Sequence, residues 1–202
     1  MKRILFKDYE LVVFDSVYEP REDSFLLAEN VKVKPGIEAL DMGCGCGIQS
    51  INLALQGANV LAVDVNRKAV ANTIENAKRL DLGNKIKVKR SNLFSSIAKR
   101  KFDCIVFNPP YLPASSLGDV SIEGGKHGYE MLHKFLDKMP LHLKRDGVCY
   151  FVQSSLNGEQ RTKKKLTSLD LSFEIIARQK FFFEELIIFK AFFQFFKEYD
   201  IY

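Results

Sequence analysis

The chain has 202 residues, which suits one domain, or one with a small extension, at roughly 100–200 residues per domain. Hydrophobic residues make up 47% and charged residues 27%, which excludes collagen-like, low-complexity and disordered chains and leaves ample material for a core. Thirty Lys and Arg against 25 Asp and Glu give a formal net charge of +5, which favours an acidic or polyanionic partner without demanding one.

At the start, MKRILFKDYE has a basic pair, but Lys7, Asp8 and Glu10 interrupt it before a signal-peptide core of about 7–15 apolar residues can form. Residues 3–18 read as two short strands or a hairpin capping the domain. In the EPREDS segment (19–24), Asp23 and Ser24 are placed to cap the helix that follows, whose N-terminus favours an anionic group nearby. Residues 1–30 are therefore expected as a cap, 31–193 as the main domain and 194–202 as an aromatic tail.

From residue 37 onward, β-branched apolar runs alternate with amphipathic stretches. The runs are 37–42, 59–65, 85–90, 102–107, 147–153, 171–179 and 185–192, and helices are predicted at 47–57, 66–81, 92–100, 126–143 and 157–168. Such alternation implies an α/β, doubly wound, mostly parallel seven-stranded sheet. The last two strands are too close in sequence for a parallel crossover, so they should be antiparallel. No bilayer span is expected, because the most apolar stretch, Leu186–Phe196, is broken by Lys190 and Gln194. Cys44, Cys46, Cys104 and Cys149 form no CxxC pair, and His127, His133 and His142 add no ligand spacing. That pattern disfavours zinc, and free thiols without a signal peptide point to the reducing cytoplasm.

ALDMGCGCG (39–47) lies where the first main-domain strand hands over to a helix, the place where doubly wound sheets bind ligands. Gly43, Gly45 and Gly47 permit a tight turn and close approach of backbone to ligand. The spacing is GxGxG, with Ile48 where a dinucleotide fingerprint requires glycine, so NAD is disfavoured. Asp41 precedes the turn and can hold an ammonium group directly or through water. Asp64 ends the second strand, 21 residues after Gly43, where an acid accepts hydrogen bonds from a ribose. Loop, acid and strand order together favour an S-adenosylmethionine site over a bare glycine turn with a solvated carboxylate.

Asn108, Pro109, Pro110 and Tyr111 follow the fourth of these strands. An amide or exocyclic amine nitrogen is a poor nucleophile because its lone pair is conjugated. The Asn108 side-chain carbonyl and the Pro109 backbone carbonyl can each accept one N–H of a planar NH2, which aims the lone pair at a sulfonium methyl. Proline fixes φ and donates nothing, and Tyr111 offers a flat face for stacking. The target narrows to a glutamine amide, adenine N6 or guanine N2.

VYEPREDS, LDMGCGCG, VDVN, SNLF, FNPPY and GGKHGYEML together resemble the HemK-like glutamine methyltransferases of class 1 peptide-release factors. The likeness spans about residues 10–192 and is to the archaeal and eukaryotic branch, since the bacterial enzymes' N-terminal helical domain has no counterpart. The resemblance implies a Rossmann-like sheet of order 3-2-1-4-5-7-6. It implies that Ser24, Asp41 and Gly43 hold the methionine part of the cofactor, that Asp64 binds ribose, and that Asn92 and Leu93 contact adenine. Asn108 to Tyr111 would orient the glutamine of a Gly-Gly-Gln loop, giving N5-methylglutamine and S-adenosyl-L-homocysteine without a metal. Asn92 departs from the Asp common at its position; its carbonyl can still accept from adenine N6.

Between Leu82 and Phe102 lie seven basic residues and no acid. Lysines on the edge strand 85–90 protect against edge-to-edge pairing, and the resemblance implies that a small zinc-binding activator subunit adds to the sheet there. RNA contact is the third reading. GGKHGYE (124–130) reads as a glycine hinge opening a helix, serving as a lid or as a plain loop. Phenylalanines of the last strand should be core, whereas Phe195, Phe196, Tyr199 and Tyr202 extend past the family's usual end. Two functions compete with glutamine methylation: an N6-adenine methyltransferase of RNA or DNA, and a non-catalytic subunit retaining the cofactor fold. A duplex substrate would require base flipping by one small domain, which disfavours nucleic acid as direct substrate.

Overall fold

The structure, a computed structural model, describes residues 1–111, 125 and 127–194. The chain opens with an antiparallel hairpin, β1 (Lys2–Phe6) and β2 (Tyr9–Val13), followed by α1 (Glu22–Asn30). The main sheet contains β3 (Glu38–Met42), β4 (Asn59–Asp64), β5 (Ile86–Arg90), β6 (Phe102–Phe107), β7 (Leu143–Ser154), β8 (Leu171–Lys180) and β9 (Glu185–Phe193). Its order is β5-β4-β3-β6-β7-β9-β8, which in main-sheet numbering is the expected 3-2-1-4-5-7-6. The first five strands run parallel, and β9 is antiparallel to both β7 and β8. Helices α2 (Ile48–Leu55), α3 (Arg67–Arg79), α4 (Glu130–His142) and α5 (Glu159–Ser168) join them.

Period-two alternation divides the core between the two sheet faces. Ala39, Val60, Ala62, Cys104, Val106 and Val152 pack with Leu27 of α1 and Ile51 of α2. Leu40, Met42, Val63, Ile105, Phe107 and Phe151 pack on the other face with Phe135 of α4 and Leu166 of α5. All four cysteines are buried and free. Phe189 is fully buried, but Phe192 and Phe193 are only half-buried. The short link between β8 and β9 leaves Phe182 and Phe183 at 92% and 83% exposure.

Three sequence expectations change. The helix predicted over 92–100 is instead a run of turns, because Leu93 (φ 47) and Ala98 (φ 58) adopt left-handed conformations that no α-helix accommodates. Asp23 and Ser24 lie inside the first turn of α1 rather than capping it; Arg21 holds the cap position and makes no side-chain cap bond. The helix expected from 126 begins at Glu130. Phe195, Phe196, Tyr199 and Tyr202 of the tail lie outside the described residues. Lys87, Lys89 and Arg90 are exposed on β5, which is an edge strand. Among the described residues, no helix is long and apolar enough to cross a membrane.

Buried asparagines attach the hairpin to the main domain. Asn76 of α3 accepts from Val12 N at 2.9 Å and donates to Val12 O and to Cys46 O, each at 2.8 Å. Asn72 accepts from Phe14 N at 2.7 Å and donates to Val12 O at 2.8 Å. One helix thereby fixes both the hairpin and the glycine loop. Asn76→Ala strands two buried backbone groups, Val12 N and Cys46 O, since Asn72 still donates to Val12 O, and should destabilise the fold by about 2–3 kcal/mol, measurable by urea unfolding. A loss below about 0.5 kcal/mol would mean that water replaces those bonds.

Candidate active site

The order of strands reverses between β3 and β6, and a cavity of about 620 Å³ lies at their carboxyl ends. That volume suits a nucleoside-sized ligand. Gly43, Gly45, Asp64, Asn92, Leu93, Ser24, Asn108 and Pro110 all line it.

The glycine loop is pinned from behind by α3. Thr73 Oγ1 donates to Gly45 O at 3.0 Å, and Asn76 holds Cys46 O. Gly47, with φ +92, sits so close to this helix that a Cβ would stand 3.0 Å from Thr73 Cγ2. Glycine here serves helix packing, since Gly47 itself does not line the cavity.

Asp64 accepts from Gly45 N at 3.0 Å and from Asn66 N at 2.8 Å. Those bonds fix the carboxylate at the cavity wall and leave lone pairs for two vicinal hydroxyls. Burial raises its pKa, against the opposing pull of these N–H groups. Beyond β5, Leu93 holds its strained conformation because Ser91 Oγ donates to Leu93 O at 2.6 Å and Ser95 N donates to Asn92 O at 3.1 Å. The strain brings Leu93 to the wall as an apolar surface for a planar ring.

Asp41 is placed differently from the other acid. It is 1% exposed, does not line the cavity, and accepts from Ser50 N at 2.9 Å and from Ser50 Oγ at 2.5 Å. It therefore ties β3 to α2 beneath the loop. Burial pushes its carboxyl up to about 7, despite those Ser50 hydrogen bonds and assisted by the nearby Asp64 charge.

On the opposite wall, Asn108 Nδ2 donates to Ser24 Oγ at 3.1 Å. Asn108 Oδ1 is shielded from water and has no partner among the described residues. Pro109 is buried, and Tyr111 is half-buried. Burial raises the Tyr111 pKa, and the Asp23 charge and hydrogen bond add to the rise. Sequence reasoning missed one further support, Asn157, and read another, Gly128, as part of a hinge. Asn157, in the short turn after β7, donates through Nδ2 to Tyr111 O at 2.7 Å. Gly128 (φ +82) packs so tightly that a Cβ would lie 2.3 Å from Tyr111 O and 2.5 Å from Asn157 Nδ2. Of the expected hinge, this glycine is a wedge against the tetrapeptide; Gly124 and Lys126 lie outside the described residues. Tyr18, also on the cavity wall, lies in the quoted VYEPREDS segment but had no distinctive chemistry as a lone tyrosine.

Glycine positions that close a loop over the cavity, an acid at the second strand end and an acceptor without a partner fit an adenosine carrying a charged amino-acid tail. Among the described residues, no group of His, Cys, Asp or Glu is arranged to hold a metal.

Residues 16–183 match the family model described as Methyltransferase small domain. A protein of Methanocaldococcus jannaschii with the provisional name protein N5-glutamine methyltransferase is 41% identical over 189 residues, covering 90% of this chain and 94% of that one. The release factor glutamine methyltransferase of Aquifex aeolicus is 32% identical over 147 residues, covering 65% of this chain and 52% of its own length. Among solved structures, the Encephalitozoon cuniculi Mtq2–Trm112 complex, described as responsible for methylation of the eRF1 termination factor, superposes with TM-score 0.69 at 24% identity. That match covers 89% of this chain and 99% of the other.

Two outcomes follow from this geometry. Because the folded pKa of Asp41 lies above its ordinary value, its contribution to stability is complete below about pH 4 and is lost as pH rises through about 7. The melting temperature of the ligand-free protein should fall over that range, and Asp41→Asn should flatten the fall; an unchanged pH profile in the variant would contradict the assignment. Gly128→Ala should displace Tyr111 and lower turnover about tenfold or more while ligand affinity changes little. Unaltered turnover would show that the contact relaxes freely.

Proposed function

The chain belongs to the methyltransferase small domain family, and from that premise we propose that it methylates the side-chain amide of a glutamine. The substrate is the Gly-Gly-Gln loop of a class 1 peptide-release factor, and the methyl donor is S-adenosylmethionine. The names carried by the Methanocaldococcus and Aquifex relatives support the reaction, and the Aquifex name supports the substrate. The single observation that carries the reading is the acceptor Asn108 Oδ1, held without a partner next to a rigid Pro-Pro backbone.

The cofactor supplies an electrophilic methyl on a positively charged sulfur. Asp64 holds the ribose hydroxyls, with its own orientation set by the Gly45 and Asn66 N–H groups. Asn92 and Leu93 would hold the adenine and Gly43 and Ser24 the methionine part, while Asp41 acts beneath the loop rather than at its surface. Asn108 Oδ1 accepts one hydrogen of the glutamine NH2 and the Pro109 carbonyl accepts the other, turning the amide so that its lone pair faces the methyl. Tyr111 stacks on the planar amide, its backbone carbonyl fixed by Asn157. No strong base is required, because the nitrogen loses its proton after gaining the methyl. Positioning of this kind can supply on the order of 7–11 kcal/mol.

The exposed edge of β5 suits strand addition by a second subunit, a small zinc-binding activator. The Encephalitozoon protein is described in complex with Trm112, which supports a partner of this kind. A release factor as substrate places the reaction in the cytoplasm.

Mass spectrometry of a release factor incubated with the enzyme and its methyl donor tests the reading: one added methyl should map to the glutamine of Gly-Gly-Gln. Asn108→Ala should lose about 100-fold or more in kcat with donor affinity nearly unchanged. A large loss of donor affinity in that variant would make Asn108 a cofactor ligand instead. Asp64→Ala should weaken donor binding about tenfold or more through the lost hydrogen bonds; equal affinity would refute its role.

A further inference from the structure

The orientation of the Asn108 amide depends on residues that the reaction itself does not consume. An asparagine amide has two chemically opposite ends, and a rotation of half a turn exchanges donor for acceptor at nearly the same positions. With Oδ1 toward the target, Asn108 accepts from the glutamine NH2. With Nδ2 toward it, two NH2 groups face each other and no bond forms. Something must therefore decide which end faces the substrate.

Ser24 is the neighbour of Asn108 Nδ2, at 3.1 Å from its Oγ. A serine hydroxyl is ambiguous, since it has one hydrogen to give and lone pairs to receive. The ambiguity ends at Asp23, whose Oδ1 accepts from Ser24 Oγ at 3.1 Å and from Ser24 N at 2.6 Å. Asp23 is 2% exposed, and Tyr18 OH also donates to both its oxygens, at 3.1 and 3.0 Å. A carboxylate accepts only, so the single hydroxyl hydrogen of Ser24 is committed to Asp23 and its oxygen must receive from Asn108.

We propose that Asp23 is a positioning residue for methyl transfer: through Ser24 it fixes the Asn108 amide with Nδ2 inward and Oδ1 toward the target nitrogen. The proposal rests on the function proposed above and adds a polarity to it. Direction of donation runs from Asn108 to Ser24 to Asp23, with the Tyr18 and Tyr111 hydroxyls bonded to the same carboxylate. The location of Asp23 and Ser24 within the first turn of α1, not at its cap, is what brings them to the fourth strand's exit loop. Without Asp23, the Ser24 hydrogen is free to point at Asn108, and the unproductive rotamer becomes as accessible as the productive one.

The test compares the full-length wild type with Asp23→Ala, Ser24→Ala and the double variant, each with the release factor at saturating methyl donor. Asp23→Ala should lower kcat about 10–100-fold while donor affinity, measured by calorimetry, stays within about threefold. Asp23 is also hydrogen-bonded to Tyr111, so the cycle is repeated in a Tyr111→Phe background, where Asp23 acts through Ser24 and the double variant should be no slower than the slower single variant. A kcat for Asp23→Ala within about twofold of wild type, or losses that multiply in the double variant in that background, would overturn the proposal. Nuclear magnetic resonance of 15N-labelled protein supplies a readout independent of substrate. The Asn108 side-chain NH2 should give one protected pair of resonances in the wild type, which averages or exchanges rapidly in Asp23→Ala. An unchanged Asn108 NH2 signal in the variant would equally overturn it. If the wild type leaves the release factor unmodified, the functional reading fails, and the resonance experiment still decides the polarity of the network.

Discussion

The reversal of strand order between β3 and β6 is the constraint on which this molecule depends. Two adjacent parallel strands end side by side, yet the helices that follow them, α2 and α4, pack on opposite faces of the sheet, which opens a crevice at their carboxyl ends. The crevice thus exists for topological reasons before any residue is chosen to line it. What the sequence adds is chemistry at its two lips: a glycine loop and an acid on the β3–β4 side, an amide acceptor and a rigid Pro-Pro on the β6 side. Their opposition across one gap is what permits a methyl donor and an acceptor nitrogen to meet in line.

Each lip is held from beneath by buried polar side chains that bond to one another or to the loop backbone. Asp41 and Ser50 lock β3 to α2, Asn76 and Thr73 hold the carbonyls of the glycine loop, and Asn157 holds the carbonyl of Tyr111. Unpaired buried polar atoms are costly, so such networks leave little freedom in the positions they fix. Asn108 Oδ1 is one of several buried polar atoms without a partner among the described residues, and it is the one that stands beside the Pro-Pro backbone at the cavity.

The sheet and most of the site were legible in the chain because they rest on local signals. Runs such as FDCIVF are β-branched, apolar and of strand length, and residues 102–107 form β6 with those bounds. The antiparallel end of the sheet followed from a link too short for a crossover. The failures have equally local causes. Residues 92–100 have helical composition, but the turn that carries Asn92 and Leu93 to the cavity requires left-handed residues that composition does not reveal. Asp23 and Ser24 resemble a helix cap because caps use the same side chains; only the fold places Ser24, with Asp23 behind it, against Asn108, 84 residues beyond Ser24. Asn157 carries no sequence signal, and Gly128 was legible only as a hinge glycine of GGKHGYE, since the importance of both lies in contact with the backbone of Tyr111. Asp41 was legible as part of the loop but not as a support facing α2.

The central claim is that an amide of a release factor, and not a nucleobase, receives the methyl group. Its most direct test is transfer of a radiolabelled methyl from S-adenosylmethionine to a release factor, to the same factor with the Gly-Gly-Gln glutamine changed to alanine, and to RNA and DNA. Each arm is run with and without a Trm112-type subunit. The account predicts label on the intact release factor and none on the alanine variant or on nucleic acid. Label on RNA or DNA with none on the release factor would contradict it.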